Sequence, residues 1–251
     1  MHVHCLGTTG YHPSPTRHTA CYYLPDQALV LDAGTGLFRM IELLLKHPQP
    51  SLDILLSHAH LDHVVGLTFL LDALAVTELK SVRVFAQEEK IRAIREHVYA
   101  PSIFPVEPEY EFIPLATGSG TLTLGTTHVD YFPLEHPGGA LGYIIESAGK
   151  RLAYITDTVA RPTAGYLNEL KQIDMLLHEC YFSDAYQELA IKTGHSWLSA
   201  VTDVVRTVRP KRSALIHINP LAEVLGTGFQ LTADHHALGM FVTEDQQVIE
   251  V

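Results

Sequence analysis

Ser57-His58-Ala59-His60-Leu61-Asp62-His63 places three imidazoles and a carboxylate directly after the apolar run Leu52-Asp53-Ile54-Leu55-Leu56. The run reads as a buried strand, which puts the cluster at a strand's end and in the loop beyond it. His58 and His60 are two apart, so extended backbone points both to one side. Asp62 and His63 fall where the chain turns, ahead of a helix expected from about Val64 on the stripe Val64, Val65, Leu67, Leu70, Leu71 and Leu74. Neutral imidazole is the commonest metal ligand, and a neighbouring carboxylate adds charge and a hard oxygen. The bland alternative is a solvated strand end that is His-rich by chance. The adjoining apolar strand and the donors downstream weigh against it.

The chain around this cluster has 251 residues, enough to bury a substantial core, and one domain over 1–251 is the simplest reading. Hydrophobic residues are 47% and charged residues 18%, which fits a globular enzyme and excludes a disordered chain. The net charge of −11 argues against a surface that grips long nucleic acid through many phosphates. Basic residues do gather locally at Lys192, Arg206, Arg209, Lys211 and Arg212. The opening Met1-His2-Val3-His4-Cys5-Leu6-Gly7 lacks the pattern of a secretory signal, and no apolar segment is long enough to span a bilayer. Cys5, Cys21 and Cys180 are odd in number and show no CxxC spacing, so neither a disulfide framework nor a thiolate site is expected. The expectation is a soluble, cytoplasmic protein with no membrane partner.

Working outward, residues 2–6, 28–32 and 52–57 read as strands, with a helical stripe from Gly36 to His47 ended by Pro48. A strand at 82–85 and a helix near 88–99 follow, and Pro101, Pro105 and Pro108 then break regular structure. From 110 short strands succeed one another at 110–115, 121–124, 127–132, 141–147, 151–156 and 173–178. Helices are expected at 184–193 and 198–208, then strands at 214–217 and 247–251. Two sets of strands, each accompanied by helices, predict two sheets packed face to face with helices outside.

Further donors stand at strand ends. His136 follows the strand ending at Pro133-Leu134, Asp157 follows Leu152–Thr156, and His217 ends Ala214-Leu215-Ile216. Taken singly, either histidine reads as a hydrogen-bonded core residue and Asp157 as a helix cap or turn residue. Taken together they complete a metal site.

With these residues in order, the chain resembles the metallo-β-lactamase superfamily of binuclear metallohydrolases. The match is His58-x-His60-x-Asp62-His63, then His136, Asp157 and His217, with Val30-Leu31-Asp32-Ala33-Gly34 similar to the superfamily's early strand-to-turn motif. The resemblance covers nearly the whole chain and implies an α/β fold, the αββα four-layer sandwich, with metals at one edge. It further implies that His58, His60 and His136 hold one ion and Asp62, His63 and His217 the second, with Asp157 bridging and Asp32 structural. Within the superfamily the chain is most similar to the ribonuclease Z-like phosphodiesterase branch. This rests on Leu6-Gly7-Thr8-Thr9-Gly10 with Arg17-His18-Thr19-Ala20, on Gly142-Tyr143-Ile144-Ile145, on Leu177-His178-Glu179-Cys180-Tyr181-Phe182 and on Gly194-His195-Ser196. Thioesterase and lactonase members place their third histidine in a Gly-His-Thr-Pro-Gly turn, which Glu135-His136-Pro137-Gly138-Gly139 overlaps only in part.

One departure bears on substrate. Ribonuclease Z carries a protruding tRNA arm between its third histidine and bridging aspartate, whereas the 20 residues from 137 to 156 hold little beyond a hairpin. The resemblance therefore implies a phosphodiesterase acting on a small diester: a cyclic nucleotide, a cyclic sugar phosphate or a short oligonucleotide. Asp62 would bind metal and orient the nucleophile, and His195, held by Glu179, would protonate the leaving alkoxide. Two divalent ions are implied, with Zn²⁺ ahead of Mn²⁺ and Fe²⁺, and relatives of this branch that pair suggest a homodimer. The alternatives are hydrolysis of a lactone, thioester or β-lactam at the same site, and a non-hydrolytic cofactor-biosynthesis or binding protein. The remaining histidines, among them Asp234-His235-His236, are read as packing or surface residues. The loop from Tyr99 to Val106 reads as a lid, a dimer contact or a plain connector.

Overall fold

The computed structural model describes residues 1–251 and arranges fourteen strands in two seven-stranded sheets. In chain order the first sheet is supplied by β1 (His2–Gly7), β2 (Cys21–Leu24), β3 (Leu29–Leu31), β4 (Ser51–Leu55), β5 (Ser81–Gln87) and β6 (Glu111–Leu115). The second takes β7 (Gly120–Leu124), β8 (Thr127–Leu134), β9 (Ala140–Ser147), β10 (Lys150–Ile155), β11 (Met175–Glu179), β12 (Arg212–Ile216) and β13 (Met240–Val242), and β14 (Val248–Glu250) returns to the edge of the first. The spatial orders are β14-β1-β2-β3-β4-β5-β6 and β13-β12-β11-β10-β9-β8-β7. This is the expected αββα sandwich.

Three apolar layers hold it. Between the sheets, Tyr22, Leu29, Leu31 and Leu55 meet Tyr143, Ile145, Leu152, Tyr154, Leu177 and Ile216. Outside the first sheet lie α1 (Met40–Lys46), α3 (Leu70–Val76) and α4 (Glu88–Ala93), burying Leu37, Met40, Leu44, Leu70 and Ile91 against Val30, Ile54 and Val84. Outside the second, α6 (Leu198–Val208) sets Leu198, Val201, Val204 and Val205 on one helical face against Leu176 and Leu215. Each such fully buried aliphatic contributes about 1.5–3 kcal/mol.

Strand direction fixes where the chemistry sits. β3, β4, β5 and β6 run parallel, as do β10, β11, β12 and β13, while β8 and β9 alternate. Their carboxyl ends therefore open on one edge of the sandwich, where ligands of open α/β sheets gather. Asp32 follows β3, His58 follows β4, His136 follows β8, Asp157 follows β10 and His217 follows β12. The Tyr143 hydroxyl donates to Leu56 O at 2.6 Å and that of Tyr154 to Asp32 Oδ2 at 2.7 Å, tying one sheet to the other under this edge.

Some local expectations are corrected. The helix after the histidine cluster starts at Leu61, not near Val64. His60 is extended (φ −66°, ψ 148°), so Asp62 and His63 lie in the first turn of α2 (Leu61–Val64) rather than in the turn ahead of it. A 3₁₀ stretch at Val65–Phe69 separates α2 from α3. β2 was not foreseen because all four residues are buried and show no alternation. α7 (Pro220–Leu225) and the three-residue β13 were too short to register. α5 (Gln187–Thr193) matches the helix expected at 184–193 apart from a first 3₁₀ turn. Asp234-His235-His236 fall in α8 (Ala233–Ala237), capped by Thr232. Phe104 packs on Tyr99 at 5.9 Å, against the layer outside the first sheet. No helix is long and apolar enough to cross a membrane, and all three cysteines are buried and free.

Candidate metal centre

The site is built on buried hydrogen bonds that aim imidazole nitrogens inward. Asp32, fully buried and itself at φ +56°, is the anchor of the first sheet's side. Its Oδ1 accepts Ser57 N at 2.7 Å, and its Oδ2 accepts Ser57 Oγ at 2.7 Å and His63 Nδ1 at 2.8 Å beside the Tyr154 hydroxyl. With its one proton given to Asp32, Ser57 Oγ is left to accept His58 Nδ1 at 3.0 Å. His136 Nδ1 donates to Gly194 O at 2.9 Å. In their neutral forms His58, His63 and His136 therefore all turn an unprotonated Nε2 toward the centre.

Asp157 stands among these nitrogens with its two oxygens divided between them. Oδ1 lies 3.4 Å from His63 Nε2 and 3.2 Å from His217 Nε2. Oδ2 lies 3.7 Å from His58 Nε2 and 3.6 Å from His136 Nε2. His60 Nδ1 closes the first group at 3.4 Å from His136 Nε2. Asp62 Oδ2 closes the second, 3.4 Å from both His63 and His217. Three overlapping donor groups result: His58, His60, His136 with Asp157; Asp62, His63 with His217; and Asp157 and His217 with His195. For metal–nitrogen bonds of about 2.0–2.1 Å, tetrahedral ligands stand about 3.3 Å apart, close to the spacings found. His58 Nε2 is buried without any partner, a costly arrangement unless something binds there. The residues present fit two divalent ions.

Charge agrees with this. Burial would push the Asp157 and Asp62 carboxyls up, but the facing His217 and His63 hold both well below the usual carboxylate range, so both are anions. Burial opposes a charge on His63 too, yet Asp62, Asp157 and Asp32 raise its pKa well above the ordinary value. His58, buried and beside His63, is held well below it. The three carboxylates thus create an excess of negative potential that a dication would offset.

His195 flanks the cluster, 5.4 Å ring to ring from His217 and stacked on Tyr181 at 4.7 Å. Its Nδ1 donates to Glu179 Oε1 at 3.1 Å. Glu179 is fully buried at the end of β11, where its oxygens also accept Thr158 N at 2.7 Å and Ser196 N at 3.1 Å. Glu179 is thus an interior carboxylate with three donors around it, placed to hold His195. Burial lowers the His195 pKa, but Glu179 outweighs it and raises the value to about 9.

All nine sequence-predicted site residues (His58, His60, Asp62, His63, His136, Asp157, Glu179, His195 and His217) lie at this one edge. Sequence reasoning missed Tyr11, whose amide donates to Asp62 Oδ2 at 2.7 Å, and Tyr181 beside His195. It also missed Gly10, where a Cβ would come within 2.1 Å of the His217 ring. Gly10 and Tyr181 fall in stretches that carry the resemblance but with no role assigned there; the bend at Tyr11 (φ +64°) brings in Gly10 and Tyr11, and the end of β11 brings in Tyr181. His12 and His18 turn away, to Pro13 O and Thr35 Oγ1. His178 is a core residue, hydrogen-bonded to the Tyr166 hydroxyl at 2.9 Å.

Comparison with known proteins gives the same picture. The profile of the beta-lactamase superfamily domain matches residues 27–218. A ribonuclease Z of Metallosphaera sedula is 27% identical over 263 aligned residues, covering 87% of this chain and 88% of its own. Among solved structures, Zn²⁺-bound PqqB of Methylobacterium extorquens superposes with a TM-score of 0.76 at 20% identity, over 100% of both chains. The short form of human tRNase Z superposes with a TM-score of 0.74 at 20% identity, over 100% of this chain and 99% of its own.

Proposed function

The chain belongs to the metallo-β-lactamase superfamily, and from that premise we propose that it is a binuclear metal-dependent hydrolase cleaving a small phosphodiester. The observation that carries the reading is the division of Asp157, Oδ1 facing His63 and His217 and Oδ2 facing His58 and His136. His58, His60, His136 and Asp157 would hold one ion, and Asp62, His63, His217 and Asp157 the other. Nitrogen and carboxylate donors suit Zn²⁺, and also Mn²⁺ or Fe²⁺. When bound, such a pair supplies a water of near-neutral pKa and positive charge against the phosphoryl oxygens.

The chain's own residues do the rest. Asp62, fixed by the Tyr11 amide, orients the attacking water. Glu179 pins Nδ1 of His195, which leaves Nε2 to hand a proton to the departing oxygen. Such an acid matters most where an alkoxide leaves, which favours a phosphodiester over a thioester.

The relatives' names bring RNA among the substrates to be tried, at odds with the expectation that long nucleic acid has no place here. Against an extended polynucleotide stand the net charge of −11 and the tight hairpin of β9 and β10, turned by Ala148 and Gly149 with no room for an arm. A small diester or a short RNA end fits both considerations.

The test is hydrolysis of bis(p-nitrophenyl) phosphate after separate loading with Zn²⁺ and Mn²⁺, beside Asp157→Ala. Metal-dependent turnover that the variant loses is expected. Protein holding two ions yet inert toward the diester would move the assignment to carbonyl esters.

A further inference from the structure

A cavity of about 620 Å³ opens beside His195 and continues away from the metal residues. Three residues belong to both. His195 lines it, Tyr181 packs beside both His195 and His217, and Tyr11 gives its amide to Asp62. Its volume lies within the range of small-ligand sites. Resting on the phosphodiesterase reading, we propose that it receives the part of the substrate on the leaving-oxygen side, and that this part is an uncharged aromatic group.

The wall supports that chemistry by what it offers and what it lacks. Tyr181, Phe182, Tyr186, Leu189 and Phe229 supply aromatic and aliphatic surface, and aromatic rings pack on such walls in offset or edge-on fashion. Apart from His195 at the mouth, Arg17 is the one cation there, and it is spent. Its Nε donates to Glu223 Oε1 at 2.7 Å, and its Nη1 donates to Thr8 Oγ1 and to Thr243 O. Glu223 is likewise engaged by Thr16 and Ser14, Asn219 Oδ1 takes the Leu221 amide, and Thr193 Oγ1 donates to Leu189 O. Beyond the reach of His195, a second phosphate or a carboxylate in this cavity would find no free positive partner, and burying it unpaired is costly. What is left over is His195 at the mouth, where the bond to oxygen breaks, and the neutral hydroxyls of Ser183, Thr227 and the tyrosines, which carry no charge to pair with an anion.

Two measurements test the proposal. The first compares kcat/KM of the Zn²⁺-loaded enzyme, by chromatography of the released alcohol, for methyl phosphodiesters whose departing alcohol is methanol, 2-naphthylmethanol or (6-carboxy-2-naphthyl)methanol, so that the group varied is the leaving one. The naphthyl diester is expected to exceed the methyl by at least tenfold and the carboxylate to lose that gain. Leu189→Asp and Phe229→Ser, both at partly exposed positions, should each shrink the naphthyl-to-methyl ratio at least fivefold. A flat series, or a carboxylate as good as the neutral ring, would overturn the proposal. The second measurement is binding of 2-naphthol against 2-naphthoate by saturation-transfer NMR, which does not depend on turnover. If every diester is inert while 2-naphthol binds and Leu189→Asp abolishes it, the phosphodiesterase reading fails and the apolar pocket stands. If 2-naphthol does not bind, and the protein is a dimer that Leu189→Asp dissociates, a second copy covers the cavity and the proposal is wrong.

Discussion

Asp32→Asn changes one atom beneath the centre and tests the logic of its construction. The carboxylate accepts four hydrogen bonds, one at Oδ1 from Ser57 N and three at Oδ2 from Ser57 Oγ, His63 Nδ1 and Tyr154. An amide suffers least with its nitrogen in the Oδ1 place, where it confronts the Ser57 N–H in the buried interior. One bond is lost and the buried donors left unpaired cost about 1–3 kcal/mol, while the other three lose charge assistance of about 1 kcal/mol each. Relief from desolvating a buried anion offsets part of this, for a net loss of about 2–4 kcal/mol. A domain of ordinary stability survives that. The weakened grip on His63 should cost 10–100-fold in affinity for the ion that His63 would hold, as lost orienting partners of metal-bound histidines do, and leave the ion held by His58, His60 and His136 less affected. Urea unfolding of metal-free protein measures the first effect, and chelator competition with ion counting the second. A variant within about 0.5 kcal/mol of wild type that still binds both ions with unchanged affinity would refute the argument.

Three further outcomes follow from the same geometry. Gly10→Ala sets a Cβ on the His217 ring, so the variant should fold and lose one of two ions; retention of both under chelator challenge would show that the loop yields. His195→Ala should lower turnover of a poor-leaving-group diester about 10²–10⁴-fold with two ions still bound, and metal loss would instead make His195 a ligand. Asp245→Ala strips partners from Thr8 N, Thr8 Oγ1, His18 N and Arg39. It should cost about 3–5 kcal/mol in urea unfolding, and an unchanged midpoint would mean that the N-terminal loop stands without it.

Much of the fold was legible because a buried strand followed by a donor is a local pattern. Leu52–Leu56 before His58 and Leu152–Thr156 before Asp157 each announce a strand and the residue at its end. The boundaries were less legible where burial on both faces erased alternation, as in β2, or where an element spans one turn, as in α2. The start of α2 mattered, since it moves Asp62 and His63 into a helical turn just beyond His60.

By itself the sequence determined which residues could be donors, the strand ends they occupy and the order in which they come. Periodicities of two and 3.6 residues encode which face of an element is apolar, and that suffices for layers and edges. Only the tertiary structure decided that Asp157 divides its oxygens between two histidine groups, that Glu179 is interior rather than superficial, and that Tyr11, Tyr181 and Gly10 adjoin the centre. The physical reason is that these relations join β4 of one sheet to β10 and β12 of the other. Their spacing is set by how two twisted sheets pack and by the tyrosine hydroxyls that cross between them, and no stretch of chain carries that distance in its own pattern.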